Sequence, residues 1–177
     1  MKIFNLKILL IWIIFATYST ISFSADDNWQ KFTYKVLKVK DGDTAVLTDG
    51  NVKFTVRFAG MDAPESGQDY GKVSTNQLSQ LILEKEVKLE PVASGLERYG
   101  RVLGHVFLGD KDVSLLMVEG GYAYYYRPSC LDYPANKDKY NYDPRPYIEA
   151  EQKAKLSHKN IWSQQNIVLP CQYRKEK

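Results

Sequence analysis

Thr44-Ala45-Val46-Leu47-Thr48-Asp49-Gly50-Asn51-Val52-Lys53-Phe54-Thr55-Val56-Arg57-Phe58 reads as two strands and the turn between them. An Asp-Gly pair between apolar runs is a hairpin signal, because glycine accepts the left-handed backbone that tight turns need. Beyond the turn, Val52, Phe54, Val56 and Phe58 alternate with Lys53, Thr55 and Arg57. That period of two puts successive side chains on opposite faces of a strand. Arg57 is therefore expected on the face away from the phenylalanines, pointing toward a surface or a site.

Working outward, residues 33–39 alternate more weakly, with Tyr34, Val36 and Leu37 among lysines. Residues 72–86 carry an apolar stripe of Val73, Leu78, Leu81 and Ile82, which predicts a helix entered at Tyr70-Gly71. Residues 87–92 and 102–108 return to strand character, and Gly109-Asp110-Lys111 closes the second. Asp112 can cap a short helix through Val113, Leu115, Leu116 and Val118, with Gly120-Gly121 ending it. Residues 122–126 are aromatic and strand-like, a polar proline-bearing segment runs to Pro146, and a last helix covers 147–157. Short strands first, with helices between and after them, suggest a small barrel with attached helices.

The chain has 177 residues. Lys2 and Lys7 precede an unbroken apolar run over 8–16, and Ser22-Phe23-Ser24-Ala25 follows. This pattern predicts a signal peptide over 1–24, cleaved after Ser24, and export to the periplasm or beyond. The apolar run is too short to span a bilayer, which takes about 20 residues. No cysteine lies near the cleavage site, so neither a span nor a lipid is expected to anchor the protein. Residues 25–32 read as a linker, 33–165 as one domain and 166–177 as a C-terminal tail, whose end, Arg174-Lys175-Glu176-Lys177, is expected to be frayed and solvated. The whole chain carries 24 basic and 21 acidic residues; residues 1–24 hold two lysines and no acid, leaving 22 against 21, or +1. A broad basic footprint is excluded, so nucleic-acid contact has to rest on local charge. Cys130 and Cys171 are the two cysteines. After export they are expected to pair, contributing roughly 2–4 kcal/mol, with two free thiols as the alternative. A zinc site is excluded, because neither His105 nor His158 stands at ligand spacing from them.

Three short segments carry chemistry: Asp41-Gly42-Asp43-Thr44, Arg57 through Met61-Asp62-Ala63-Pro64-Glu65, and Glu97-Arg98-Tyr99-Gly100-Arg101. Asp41-Gly42-Asp43 alone is a turn, and it is not a helix-loop-helix calcium loop, whose sixth and twelfth positions would fall on Val46 and Val52. Pro64 biases Ala63 toward an extended backbone. The Ala63 carbonyl can then face the space of the Asp62 carboxylate. Asp43, Asp62 and that carbonyl make either an open site for a hard divalent cation or an ordinary acidic surface loop. Glu65 stands near enough to orient or deprotonate a water. Arg57 and Arg101 can each clamp a phosphate through paired hydrogen bonds, or pair with surface acids such as Glu97 and Asp62. Tyr99, Tyr124 and Tyr126 can stack on bases, or the tyrosine strand can be barrel wall. The histidines lack a nucleophile and acid at recognisable spacing, so histidine-dependent ribonuclease chemistry is not expected.

In this order, over residues 34–162, the segments resemble the staphylococcal nuclease (thermonuclease) family, including Asn160-Ile161-Trp162 at the end of the last helix. The resemblance implies an α+β fold, a five-stranded OB-fold β-barrel with three helices. It implies calcium (Ca2+) held by Asp43, Asp62 and the Ala63 carbonyl, Glu65 as general base, and Arg57 and Arg101 stabilising the transition state. It also implies nucleotide contacts from Tyr99, Tyr124 and Tyr126. The activity implied is hydrolysis of DNA and RNA to 3′-phosphate and 5′-hydroxyl ends by a monomer. Two departures stand out. The loop after Glu65 is short and acidic, Ser66-Gly67-Gln68-Asp69-Tyr70-Gly71, where the secreted staphylococcal type has a longer lysine-rich one. Residues 129–146 form a longer segment, which a Cys130–Cys171 bond would tie down as a flap near the tyrosine face. The rival readings are an OB-fold module that holds single-stranded nucleic acid without cutting it, and a surface adhesion domain.

Overall fold

The computed structural model of the chain describes residues 33–96, 99–127 and 142–176. The expected signal peptide and linker, Glu97 and Arg98, Cys130 and most of the 129–146 segment lie outside the described residues. In chain order the elements are β1 (Thr33–Asp41), β2 (Thr44–Thr48), β3 (Lys53–Phe58), β4 (Met61–Asp62), α1 (Gly71–Ile82), β5 (Glu86–Leu96) and β6 (Val102–Leu108). There follow β7 (Lys111–Asp112), α2 (Val113–Glu119), β8 (Tyr124–Tyr125), α3 (Arg145–Leu156), a 3-10 turn (Asn160–Ser163) and α4 (Pro170–Tyr173).

The hairpin forms where the sequence placed it, with β2 and β3 pairing antiparallel from Thr44↔Arg57 to Thr48↔Lys53. Its turn is closed by Asp49 Oδ1, which accepts from the Asn51 and Val52 N–H groups at 2.9 and 2.8 Å. Strands run in the order β3-β2-β1-β5-β6, and β3 also pairs parallel with β6, from Val56↔Val102 to Phe58↔Gly104. That last pairing closes a five-stranded barrel. With its helices it is the α+β OB-fold arrangement that the resemblance implies. Register shifts in β1 between Val36 and Lys38, and between Val39 and Asp41, supply the extra twist that a small barrel needs. The inward residues Val36, Ala45, Leu47, Val56, Phe58 and Val106 fill the core, and Leu78 and Ile82 of α1 join it. Burying each large side chain contributes roughly 1.5–3 kcal/mol. This core is what fixes the strand ends that carry the site.

Helix α2 is capped as its sequence predicts, with Asp112 Oδ1 accepting from the Ser114 and Leu115 N–H groups at 2.8 and 3.2 Å. Three features differ from the sequence reading. Helix α1 ends at Ile82 rather than 86, because Glu84 turns left-handed at φ 61° and its N–H reaches the Val36 carbonyl at 3.0 Å. Pairing with β1 wins over one more helical turn. The tyrosine run is a strand only at Tyr124-Tyr125, since its partner β4 is itself two residues long. The chain end is not frayed at Arg174: Pro170 and Cys171 are buried, Pro170 opens α4, and the Arg174 N–H donates to the Pro170 carbonyl at 2.9 Å. Among the described residues, no helix is long and apolar enough to cross a membrane.

Candidate active site

The site grows from the β1–β2 turn. Register pairs Asp41 with Thr44 and Thr44 with Arg57, so the Asp41-Gly42-Asp43 turn sits beside the end of β3. The Phe58 N–H donates to the Asp43 carbonyl at 2.9 Å and locks that placement. Gly42 is required there, because a Cβ would lie 2.5 Å from the Ala63 Cβ and 2.8 Å from the Ser74 Cβ. The close approach lets the Ala63 N–H donate to Asp43 Oδ2 at 3.0 Å. Thr44 Oγ1 donates to Asp43 Oδ1 at 2.9 Å.

Arg57 lies on the face expected of it, yet it is buried, because carboxylates cover it. Its Nη1 pairs with Asp43 Oδ2 at 2.5 Å and its Nη2 with Asp62 Oδ1 at 2.9 Å. One guanidinium thus bridges both candidate metal-binding carboxylates, and its Cζ stands 6.0 Å from the Tyr126 ring centre. Glu65 follows Pro64 into a turn. Its N–H donates to Gln68 Oε1 at 2.8 Å, and its carbonyl lies where a Cβ on Gly71 would come within 2.1 Å. Beside Gly100, left-handed at φ 70°, Tyr99 stands 76% exposed with its ring centre 5.6 Å from the Arg101 Cζ.

A cleft of about 440 Å³ brings together Asp43, Ala63, Glu65, Arg57 and Arg101, with Tyr99 and Tyr126 at its wall. Asp62 is 2% exposed beneath it. Tyr124 stands elsewhere: it is buried edge-on against Trp162, with ring centres 5.1 Å apart, and borders a separate, smaller cleft with Asp69 and Tyr173. His105 and Tyr147 both reach Asp112, a brace between β6 and α3 rather than a catalytic set.

Sequence reasoning missed one residue of the site. Arg174, at the end of α4, donates from Nη1 to Asp62 Oδ1 at 3.1 Å and to Glu65 Oε1 at 2.6 Å, and from Nη2 to Asp62 Oδ2 at 2.9 Å. The pairing spans 112 residues of sequence, and no local pattern announces it. The only available signals were Pro170 as a helix starter and Cys171 as an anchor.

Electrostatics follow from this packing. Burial, and then the charge of Asp43, push the Asp41 carboxyl up to about 6. Burial raises Asp62 above the ordinary carboxylate range, against the pull of Arg57 and Arg174. Half-burial works against the Arg174 charge, but Asp62 and then Glu65 hold its pKa above the ordinary value. The donor set of Asp43, Asp62, Glu65 and the Ala63 backbone offers hard oxygens, which suit a hard divalent cation. Among the described residues no three acidic, histidine or cysteine side chains converge into a ready cation cluster. Guanidiniums bridge the carboxylates instead.

A family model described as staphylococcal nuclease homologue matches residues 55–164, more than half of the chain. The chain belongs to the staphylococcal nuclease family. A Haemophilus influenzae protein named as an uncharacterized endonuclease is 34% identical over 148 residues, covering 83% of this chain and 75% of the relative. A micrococcal nuclease of Shigella flexneri is 30% identical over 83% of each chain. A thermonuclease of Staphylococcus hyicus is 32% identical over 77% of this chain and 79% of its own length. The span matched to the nuclease family contains Arg57, Asp62, Glu65 and Arg101 and stops ten residues short of Arg174.

Proposed function

We propose that this nuclease of the staphylococcal nuclease family is an exported, calcium-dependent enzyme that hydrolyses phosphodiester bonds of DNA and RNA. The observation that carries the reading is that Arg57, which bridges Asp43 to Asp62 beneath the cleft, lines that cleft with Asp43, Glu65 and Arg101. Asp43, Asp62 and the Ala63 carbonyl would hold the cation, which supplies charge neutralisation at a phosphate oxygen when bound. Glu65 accepts a proton from a water in the cleft, and that water's oxygen attacks phosphorus. The P–O5′ bond breaks, leaving a 3′-phosphate and, after protonation, a 5′-hydroxyl. Arg57 and Arg101 donate hydrogen bonds to phosphate oxygens as negative charge builds there, worth roughly 3–4 kcal/mol for such a donor in a dry site. Tyr99, exposed at the wall, stacks on a base. Tyr126 lines the same wall, whereas burial of Tyr124 suits support of β8 better than stacking.

Support for a Cys130–Cys171 bond is that Cys171 is buried and is not a free thiol. Support for export is the 1–24 pattern, and cleavage after Ser24 would appear on N-terminal sequencing of the exported protein.

The test is cleavage of single-stranded DNA by protein beginning at Ala25, with calcium or with chelator, followed by analysis of the new ends. We expect calcium-dependent products that a polymerase extends only after phosphatase treatment. Products extended directly would contradict the bond assignment. Binding without cutting would favour the OB-fold binding module.

A further inference from the structure

Arg174 is placed by the fold rather than by a flexible tail. Leu169 packs against the cluster of Tyr124, Ala154, Ile161 and Trp162, and Pro170 and Cys171 are buried. The Arg174 N–H donates to the Pro170 carbonyl at 2.9 Å, and Gln68 Nε2 ties the lead-in by donating to the Val168 carbonyl at 3.1 Å. From this anchor the guanidinium takes both oxygens of Asp62 and one oxygen of Glu65. Arg57 already holds Asp62 Oδ1. A carboxylate offers about four lone-pair positions, so little of Asp62 remains for a cation, which needs an oxygen at roughly 2.3–2.6 Å. Asp62 does not line the cleft, whereas Arg174 does. Two positive charges on one carboxylate also repel each other.

We propose that the C-terminal helix is a latch: Arg174 and the divalent cation compete for Asp62, and Arg174 holds Glu65 as long as it stays there, so the cleft is either arginine-held or cation-loaded. The proposal rests on the metal-dependent reading above. The Arg174 side chain is 43% exposed, so solvent lies open to it when a cation takes its place. Arg174 on Glu65 Oε1 also occupies one of the two oxygens that would accept a proton and turns the carboxylate toward the arginine. The arginine-held enzyme is therefore inactive, and cation entry both opens the site and releases the base.

Calorimetric titration of calcium into wild type, Arg174→Ala and Lys175→Ala tests this. Lys175 is exposed and removes the same charge from the same helix end. We expect Arg174→Ala to bind calcium about tenfold more tightly than wild type, and Lys175→Ala to stay within about twofold. The calcium-induced rise in melting temperature should likewise be larger in Arg174→Ala than in either other protein. Equal affinities in Arg174→Ala and Lys175→Ala, or weaker binding by Arg174→Ala, would overturn the latch. No binding by any of the three would overturn the metal reading itself, and the latch with it.

Discussion

Asp62 and Glu151 are both 2% exposed, and both flank the two-residue strand β8. Each meets one largely buried arginine and one half-exposed cation, yet Asp62 lies beneath the cleft and shares its arginine with a second carboxylate. Glu151 accepts from the Tyr125 N–H at 3.0 Å, from Lys155 at 3.0 Å and from both Nη groups of Arg127. Although burial alone would raise it, Arg127 and then Lys155 hold Glu151 below the usual range. Asp62 receives Arg57 and a distant, half-exposed Arg174, and burial raises it. Glu151 takes its half-exposed cation from one turn along its own helix and also holds a backbone N–H. Asp62 shares Arg57 with Asp43 and takes its half-exposed cation from 112 residues away, beneath a cleft. That difference separates a structural ion pair from a candidate cation ligand.

Deleting each carboxylate in turn should have the largest effects. Glu151→Ala should cost about 3–5 kcal/mol in urea unfolding, because it removes the carboxylate that accepts from both Arg127 Nη groups and from the Tyr125 N–H. Asp62→Ala should cost less, about 1–2 kcal/mol, since Arg57 keeps Asp43 and Arg174 reaches water. Equal costs would erase the distinction. Next in size, Glu65→Gln or Arg101→Ala should lower turnover roughly a hundredfold or more, with the fold intact by circular dichroism. Tyr99→Ala should weaken binding of single-stranded DNA by about 1–3 kcal/mol, while Tyr124→Phe should leave it unchanged.

The smallest effect is in the pH profile of stability, where the two regions act with opposite sign. Glu151 sits below its unfolded value, so its contribution is full above about pH 4 and is lost as pH falls through the folded value. Asp112 acts in the same direction, since the hydrogen bonds of His105 and Tyr147 outweigh its burial. Asp41, raised to about 6, takes up its proton in the folded state first, so its contribution falls as pH rises from about 4 to about 6. Asp41→Asn should flatten the upper slope, and Glu151→Gln the lower one. A single slope surviving both changes would contradict these assignments.

What the sequence revealed follows the same division. The hairpin, the Asp112 cap and the segments around Asp43, Asp62 and Arg101 are local patterns, decided by turns, periodicity and short spacings, and are legible in the sequence alone. The end of α1 was hidden because Val36, far upstream, claims the Glu84 N–H. The length of the tyrosine strand was hidden because β4 sets it. Arg174 was hidden for the same reason on a larger scale, because a charged residue near the end of a chain looks solvated until packing around Leu169 and Pro170 aims it.

The decisive experiment is cleavage of single-stranded DNA in calcium and in chelator, run on wild type beside Glu65→Gln. Cutting that requires calcium and collapses in the variant is the predicted result. Cutting that ignores the metal and proceeds equally in both proteins would contradict the site.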